Sequence, residues 1–206
     1  MEKKVKPVQA RSQKTRDDLL KAAIVMYEKK GYHKTTVDDI AAEAGVSTGI
    51  AYRYFRNKKD ILLSVITYGA EHISHIADID DTPIPETVTD IRRYLEAILK
   101  AFEEFHIRYR DIHEELEGLQ HTDEDVRKLY SEITDEKMKE VISRLAAFLH
   151  DDTNIREKAY TAISIMEQHC HMMMNNELYG LNAGIMRDLA VNAVLSILKG
   201  VKSDET

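Results

Sequence analysis

The sequence predicts an all-α protein: a small basic helical head followed by a larger acidic helical body. Three observations predict it. Helix breakers are scarce, with 3 prolines and 8 glycines in 206 residues. Ala, Leu, Ile, Glu and Lys dominate, most of them strong helix formers. Apolar residues recur at three- and four-residue spacing along most of the chain, with no strand-like alternation and no internal repeat. The 43% apolar fraction supports a core, while 32% charged residues and a net charge of −7 suit a soluble protein. No run of ~18 apolar residues is present to cross a membrane. The N-terminal lysines have no apolar stretch behind them, so no secretory signal is expected. The single Cys170 excludes an internal disulfide and fits a reducing cytoplasm, the expected location.

The charge is unevenly divided. Residues 1–60 carry 14 Lys and Arg against 8 Asp and Glu, a net of +6, which leaves −13 for residues 61–206. A basic head on an acidic body suits a polyanionic partner, with chance surface charge as the alternative.

The elements follow in order. Leu20, Ala23, Ile24 and Tyr27 predict a first helix from about Thr15 to Lys30, closed by Gly31 as a C-terminal cap. Thr35-Thr36-Val37-Asp38-Asp39 reads as a capping box with Asp in place of Glu. It opens a short helix whose face is Val37, Ile40, Ala41 and Ala44. Gly45-Val46-Ser47 breaks that helix, Ser47 or Thr48 caps a third to about Phe55, and Asn57 with Asp60 caps a fourth to about Ile76. Asp78–Pro85, acidic with two prolines, is the expected linker. Further helices are expected over Thr87–Ile107, Asp111–Leu119 ending at Gly118, Thr122–His150, Asn154–Tyr179 and Ala183–Val201, with Asp151–Thr153 a turn.

Two short helices joined by a three-residue turn that begins with Gly form a helix-turn-helix. Small Ala41 and Ala44 allow a close crossing, Gly45 takes a backbone conformation costly for other residues, and Val46 plugs the crossing. The second helix, Thr48–Tyr54, then projects outward and fits a DNA major groove ~12 Å wide. Ala51 and Phe55 face inward, four residues apart. Tyr52 and Tyr54 point elsewhere, beside Arg53, Arg56, Lys58 and Lys59, as expected where hydroxyls and cations meet phosphates.

Gly31-Tyr32, Thr35-Thr36-Val37, Ile40-Ala41, Ala44-Gly45-Val46-Ser47, Tyr52-Arg53-Tyr54-Phe55 and Asn57–Leu62 together resemble the DNA-binding domain of TetR/AcrR transcriptional regulators over residues 15–62. Beyond it the body matches only in plan. The resemblance implies a three-helix DNA-binding domain at 1–57 and a helical effector-binding and dimerisation domain at 58–206. It implies contacts to double-stranded DNA from Thr36, Ser47, Thr48, Tyr52, Arg53, Tyr54 and Lys58. Thr36 and Lys58 would meet phosphates, and Gly49 offers no base contact. Thr36 and Ser47 also read as plain caps, Tyr54 as core, and Lys59 as solvated. Lys3, Lys4, Lys6 and Arg11 read either as a minor-groove arm or as a floppy basic tail.

In the body, the last two helices carry apolar faces. One has Ile155, Ala159, Ala162, Met166 and Met173; the other has Met186, Leu189, Ala193, Ile197 and Val201. Paired across two chains they make a four-helix bundle. The resemblance implies that this is the homodimer interface, with Ile155, Ala159, Ala162, Met173, Leu189, Ala193 and Ile197, and the core of a monomer is the alternative. The resemblance also implies a small, often lipophilic effector, with Tyr94, Phe102, Phe105, Tyr109, Met138, Met166 and His169 as candidate lining. No metal or other cofactor is expected. His169 and His171 point ~200° apart on a helix and cannot share an ion. His106, His113 and Glu117 read as solvated. With no nucleophile–base pair and no glycine-rich phosphate loop, no enzyme is expected. The expected function is a ligand-responsive repressor released from a palindromic operator as its fourth helix moves. The alternatives are an effector-independent nucleoid protein and, more remotely, a metal- or redox-responsive bundle using Cys170.

Overall fold

A computed structural model describes residues 7–76, 87–149 and 153–198. The predicted linker at 78–85, the basic residues Lys3, Lys4 and Lys6, residues 150–152 and Val201 lie outside the described residues. Among the described residues the regular structure is helical: α1 (Pro7–Lys34), α2 (Val37–Glu43), α3 (Thr48–Tyr54), α4 (Lys58–Ile76), α5 (Val88–Arg108), α6 (Arg110–Thr122), α7 (Glu124–Phe148), α8 (Ile155–Met174), α9 (Asn176–Tyr179) and α10 (Ala183–Ile197).

The chain divides into two compact units, one of residues up to Glu71 with Asp111–Leu129, the other of His72–Arg110 with residues from Tyr130 on. This differs from a linear division at 57/58: the first unit keeps most of α4 and takes in the segment holding most of α6.

In the first unit α1 begins earlier than expected, at Pro7, and Gly31 interrupts it with φ 78 and ψ 158. Only glycine adopts that region at little cost. The Tyr32 N–H there donates to Glu115 Oε2 at 2.6 Å. Buried Thr35 donates its hydroxyl to the Gly31 carbonyl at 2.8 Å. Leu19, Leu20, Ala23 and Tyr27 of α1, Ile40 and Ala41 of α2, and Ile61, Leu62 and Val65 of α4 are buried. Full burial of a Leu or Ile is worth about 1.5–3 kcal/mol each, so a handful of them suffices to hold short helices that would not persist alone.

Gly118 does not end α6. The helix runs through it to Thr122, because Leu116 and Leu119 are both buried and keep the turn helical. Arg127 closes that end by donating to the Gln120 and His121 carbonyls. α7 starts two residues later than expected, at Glu124, since Asp123, not Thr122, accepts from the N–H groups of Asp125 and Val126.

In the second unit α5, α7, α8 and α10 share one core. It holds Ile91, Leu95, Ile98 and Leu99 from α5, Met138 and Leu145 from α7, Ala159, Ala162, Met166 and Cys170 from α8, and Ala190, Val191 and Val194 from α10. The helix expected over 154–179 is two: α8 ends at Met174 with Asn175 as its C-cap, and α9 ends at Gly180 with φ 61.

Candidate nucleic-acid interface

The helix-turn-helix is built from local hydrogen bonds. Thr36 caps α2: its Oγ1 accepts from the Asp39 N–H at 3.2 Å, and Asp39 Oδ2 accepts from the Thr36 N–H at 2.8 Å. The Thr36 hydroxyl also donates to Asp39 Oδ2 at 2.5 Å, and Lys30 Nζ lies 2.6 Å from the same oxygen. The Lys30 ammonium, followed by the Thr36 donors, holds the Asp39 carboxyl down at about 2. The capping role of Thr36 is thus in place, and its hydroxyl proton is committed to Asp39.

At the turn, Gly45 has φ 69 and donates to the Ala42 carbonyl, while the Val46 N–H donates to the Ala41 carbonyl at 2.9 Å. The Thr48 hydroxyl donates to Asp38 Oδ1 at 2.5 Å and ties α3 back to α2. Asp38 is a positioning residue the motif alone did not single out. Ser47 is the N-cap of α3, but its side chain makes no capping bond and it is exposed.

Ala51 and Phe55 anchor α3 inward, fully or nearly fully buried, with the Arg16 guanidinium 5.5 Å over the Phe55 ring. At 100° per residue, Gly49 and Arg53 fall about 160° from Ala51, and Tyr52 about 100° from it. All three are exposed, Tyr52 at 54%. Tyr54 is half-buried and its hydroxyl accepts from Ser12 Oγ at 3.3 Å. The two tyrosines therefore differ: Tyr52 stands free on the outer face and Tyr54 leans on α1.

Asn57 caps α4 by accepting from the Asp60 N–H at 2.9 Å. Lys58 donates to the Tyr32 and His33 carbonyls, both at 3.0 Å, and lies 4.5 Å over the Tyr32 ring. It clamps the end of α1 to the start of α4. Lys59, expected to be solvated, is instead paired with Asp123 at 2.9 Å and Asp125 at 2.5 Å. Hydrogen bonds to Asp125 and then Asp123 hold its ammonium above the ordinary lysine range.

A three-helix head with an exposed Tyr–Arg helix face is the geometry of a groove-reading domain, and residues 19–65 match the family model described as "Bacterial regulatory proteins, tetR family". Residues 19–65 thus resemble the DNA-binding domain of TetR/AcrR transcriptional regulators. The chain is 45% identical over 47 residues to the "Fatty acid metabolism regulator protein" of Bacillus subtilis (strain 168), covering 23% of this chain and 24% of that one. It is 39% identical over 56 residues to the "Probable acrEF/envCD operon repressor" of Escherichia coli (strain K12), covering 27% and 26%. The chain thus spans about a quarter of the length of these curated relatives. A solved TetR-family structure from Rhodococcus sp. shares the fold with a TM-score of 0.74 at 17% identity, over 91% of this chain and 100% of that one. TetR-family proteins are DNA-binding regulators, not enzymes.

The second unit rearranges the body residues singled out from sequence. Ala159 and Ala162 are core, and Met173 is 5% exposed, so these three have no surface to offer a partner chain. Ile155 packs partly against the same core. Leu189, at 59% exposure, is on the surface, joined by Ile185 at 60%, which the sequence reading missed; Ala193 and Ile197 are partly exposed.

Among the described residues, the seven candidate effector residues lie in packed surroundings. Met138 and Met166 are core, and Tyr94 and Phe102 pack against it. The Phe105 and Tyr109 rings pack against each other at a tilt of 50°, 4.8 Å between centroids. His169 Nε2 lies 2.5 Å from Glu103 Oε1, which also accepts from Arg187 Nε at 3.0 Å. A buried carboxylate needs such partners. An open groove of about 480 Å³ between α5 and α10 is lined instead by Arg93, Glu96, Ala97, Lys100, Gly184, Arg187 and Asp188. Nor is the histidine cluster solvated as expected: His106 is 5% exposed, and His113 and Glu117 are partly buried. The Cys170 thiol is buried, and burial pushes its pKa up, away from the thiolate a redox sensor needs. Among the described residues no helix is long and apolar enough to cross a membrane.

Proposed function

We propose that this chain is a cytoplasmic repressor that binds a palindromic operator as a homodimer and leaves it when a small lipophilic effector enters the helical body. The observation that carries the DNA half is the exposed face of α3, where Tyr52 and Arg53 stand away from the buried Ala51. Ser47 and Thr48 lie at its start, and Lys58 is near enough in sequence to turn from its carbonyl partners to a phosphate. Thr36 adds a contact through the start of α2. The relative described as an operon repressor supports the direction of control.

Dimerisation follows from economy: one α3 reads few bases, whereas two heads roughly 34–36 Å apart reach successive major grooves. The exposed Ile185 and Leu189 on α10, with Ala193 and Ile197 beside them, support a self-complementary interface there. For the effector, the support is the core of Met138, Met166 and Phe102, whose flexible thioethers re-pack with little strain around a ligand. The relative described as a fatty acid metabolism regulator suits a lipophilic effector.

Selection from a random duplex library, followed by a screen of lipophilic compounds by melting temperature and operator affinity, tests this reading. An inducer raises the melting temperature and weakens operator binding, and the operator weakens its binding by the same factor. A compound that stabilises the protein and leaves operator affinity unchanged is not the inducer. The packed state of the candidate lining residues favours a second reading, an effector-independent DNA-organising protein. That reading prevails if no compound does both.

A further inference from the structure

Within the second unit, His106 on α5 meets Glu167 and His171, one turn apart on α8. His106 Nε2 lies 3.6 Å from Glu167 Oε2, and His171 Nε2 lies 3.9 Å from the same oxygen. The two imidazole centroids are 5.8 Å apart. Three side chains that ligate metals thus converge from two packed helices.

Both separations exceed a hydrogen bond. Two ligand atoms held ~2.1 Å from a tetrahedral zinc ion stand about 3.4 Å apart, so each imidazole–carboxylate separation is within about half an ångström of that spacing. Octahedral geometry, with ligand atoms about 3.0 Å apart, would need a larger closure.

The ring of His106 is already set for ligation. Its Nδ1 lies 2.8 Å from the Phe102 carbonyl oxygen. A carbonyl only accepts, so Nδ1 carries a proton, and Nε2 is the ring nitrogen that faces Glu167. This is the carbonyl support that fixes the tautomer of metal-binding histidines. The His106 side chain is 6% exposed, while Glu167 at 46% and His171 at 27% leave a way in from solvent.

We propose that His106, Glu167 and His171 bind one divalent transition-metal ion of the zinc class. Two imidazoles and a carboxylate suit zinc, cobalt or nickel better than magnesium or calcium. Three protein ligands leave a fourth position for water or for an anionic group of a ligand. The inference stands independently of the operator reading.

The experiment uses the tag-free full chain, stripped of metal with a chelator and titrated with Co²⁺, then with Zn²⁺ in competition. The expected result is one ion per chain, intense visible d–d bands of a four-coordinate Co²⁺ site, and their loss as Zn²⁺ displaces it. Because His106 is buried, the ligand test rests on the two partly exposed partners. Glu167→Gln and His171→Gln should each weaken binding roughly tenfold or more, with the helicity of the metal-free protein unchanged. His121→Gln, at an exposed histidine, should bind as the wild type does and so separate this site from scattered surface binding. Less than one ion per chain, the weak bands of a six-coordinate ion, or unchanged affinity in either ligand variant overturns the proposal.

Discussion

Gly31 and Asp39 show how single residues hold the head. Gly31 combines φ 78 and ψ 158 with a close neighbour: a Cβ there would stand 3.3 Å from Glu115 Oε1. Gly31→Ala should therefore destabilise the protein by about 1–3 kcal/mol, read as a lower midpoint in urea unfolding at unchanged slope. Asp39 has a folded pKa of about 2, against an unfolded value near ~3.9. The sign follows from the depressed value. Its contribution is full above about pH 4 and is lost as pH falls toward 2. The stability difference between wild type and Asp39→Asn should close over that window, and a difference constant from pH 6 to 2 would refute the role. Both caps, Thr36 with Asp39 and Asn57 with Asp60, were legible in the sequence because each is complete within four residues. Glu115, which meets Tyr32 across 83 positions, and the Asp123–Asp125 pair that holds Lys59 were not, because no local pattern links them.

At the scale of elements, periodicity located the helices well and their partners poorly. Gly118 read as a stop because glycine favours helix ends, yet buried Leu116 and Leu119 carry the helix through it. α8 is apolar on more than one face, and hydrophobicity alone does not say which face meets the chain's own core. That is why Ala159, Ala162 and Met173 read as interface but lie inside. Conversely, Ile185 and Leu189 sit four apart on α10 at 60% and 59% exposure, one ridge of apolar surface. Replacing both with Glu should give a monomer by light scattering, with circular dichroism unchanged, since neither side chain is buried in the chain. The same variant should bind operator at least tenfold more weakly, as one head replaces two. A wild-type monomer at micromolar concentration, or a double variant that still dimerises, would refute the α10 interface.

For the whole molecule, the division into a head and a body was legible from charge and from the helix-turn-helix, but its course was not. Asp111–Leu129 groups with the head although it lies far along the chain. A linear reading assigns a segment to its neighbours in sequence, whereas packing assigns it to whatever its buried side chains meet. Ile112, Leu116, Leu119 and Val126 are all buried within that segment. The basic excess of residues 1–60 is a property of the same scale. On the proposed reading it would set the strength of attraction to phosphates, and sequence preference would fall to the few side chains on α3. Arg53→Ala should accordingly cost about 1–3 kcal/mol of operator affinity.

The central claim is sequence-specific, ionic binding of duplex DNA through α3. It is tested most directly by measuring affinity for a library-selected duplex and for its scrambled counterpart across a series of salt concentrations. The account predicts that log affinity falls linearly with log salt, with a slope of about −0.9 per phosphate contact. It also predicts that the selected duplex, with two symmetric half-sites, binds at least about 10³-fold more tightly at every salt concentration. Equal affinity for the two duplexes, or an affinity indifferent to salt, would contradict it.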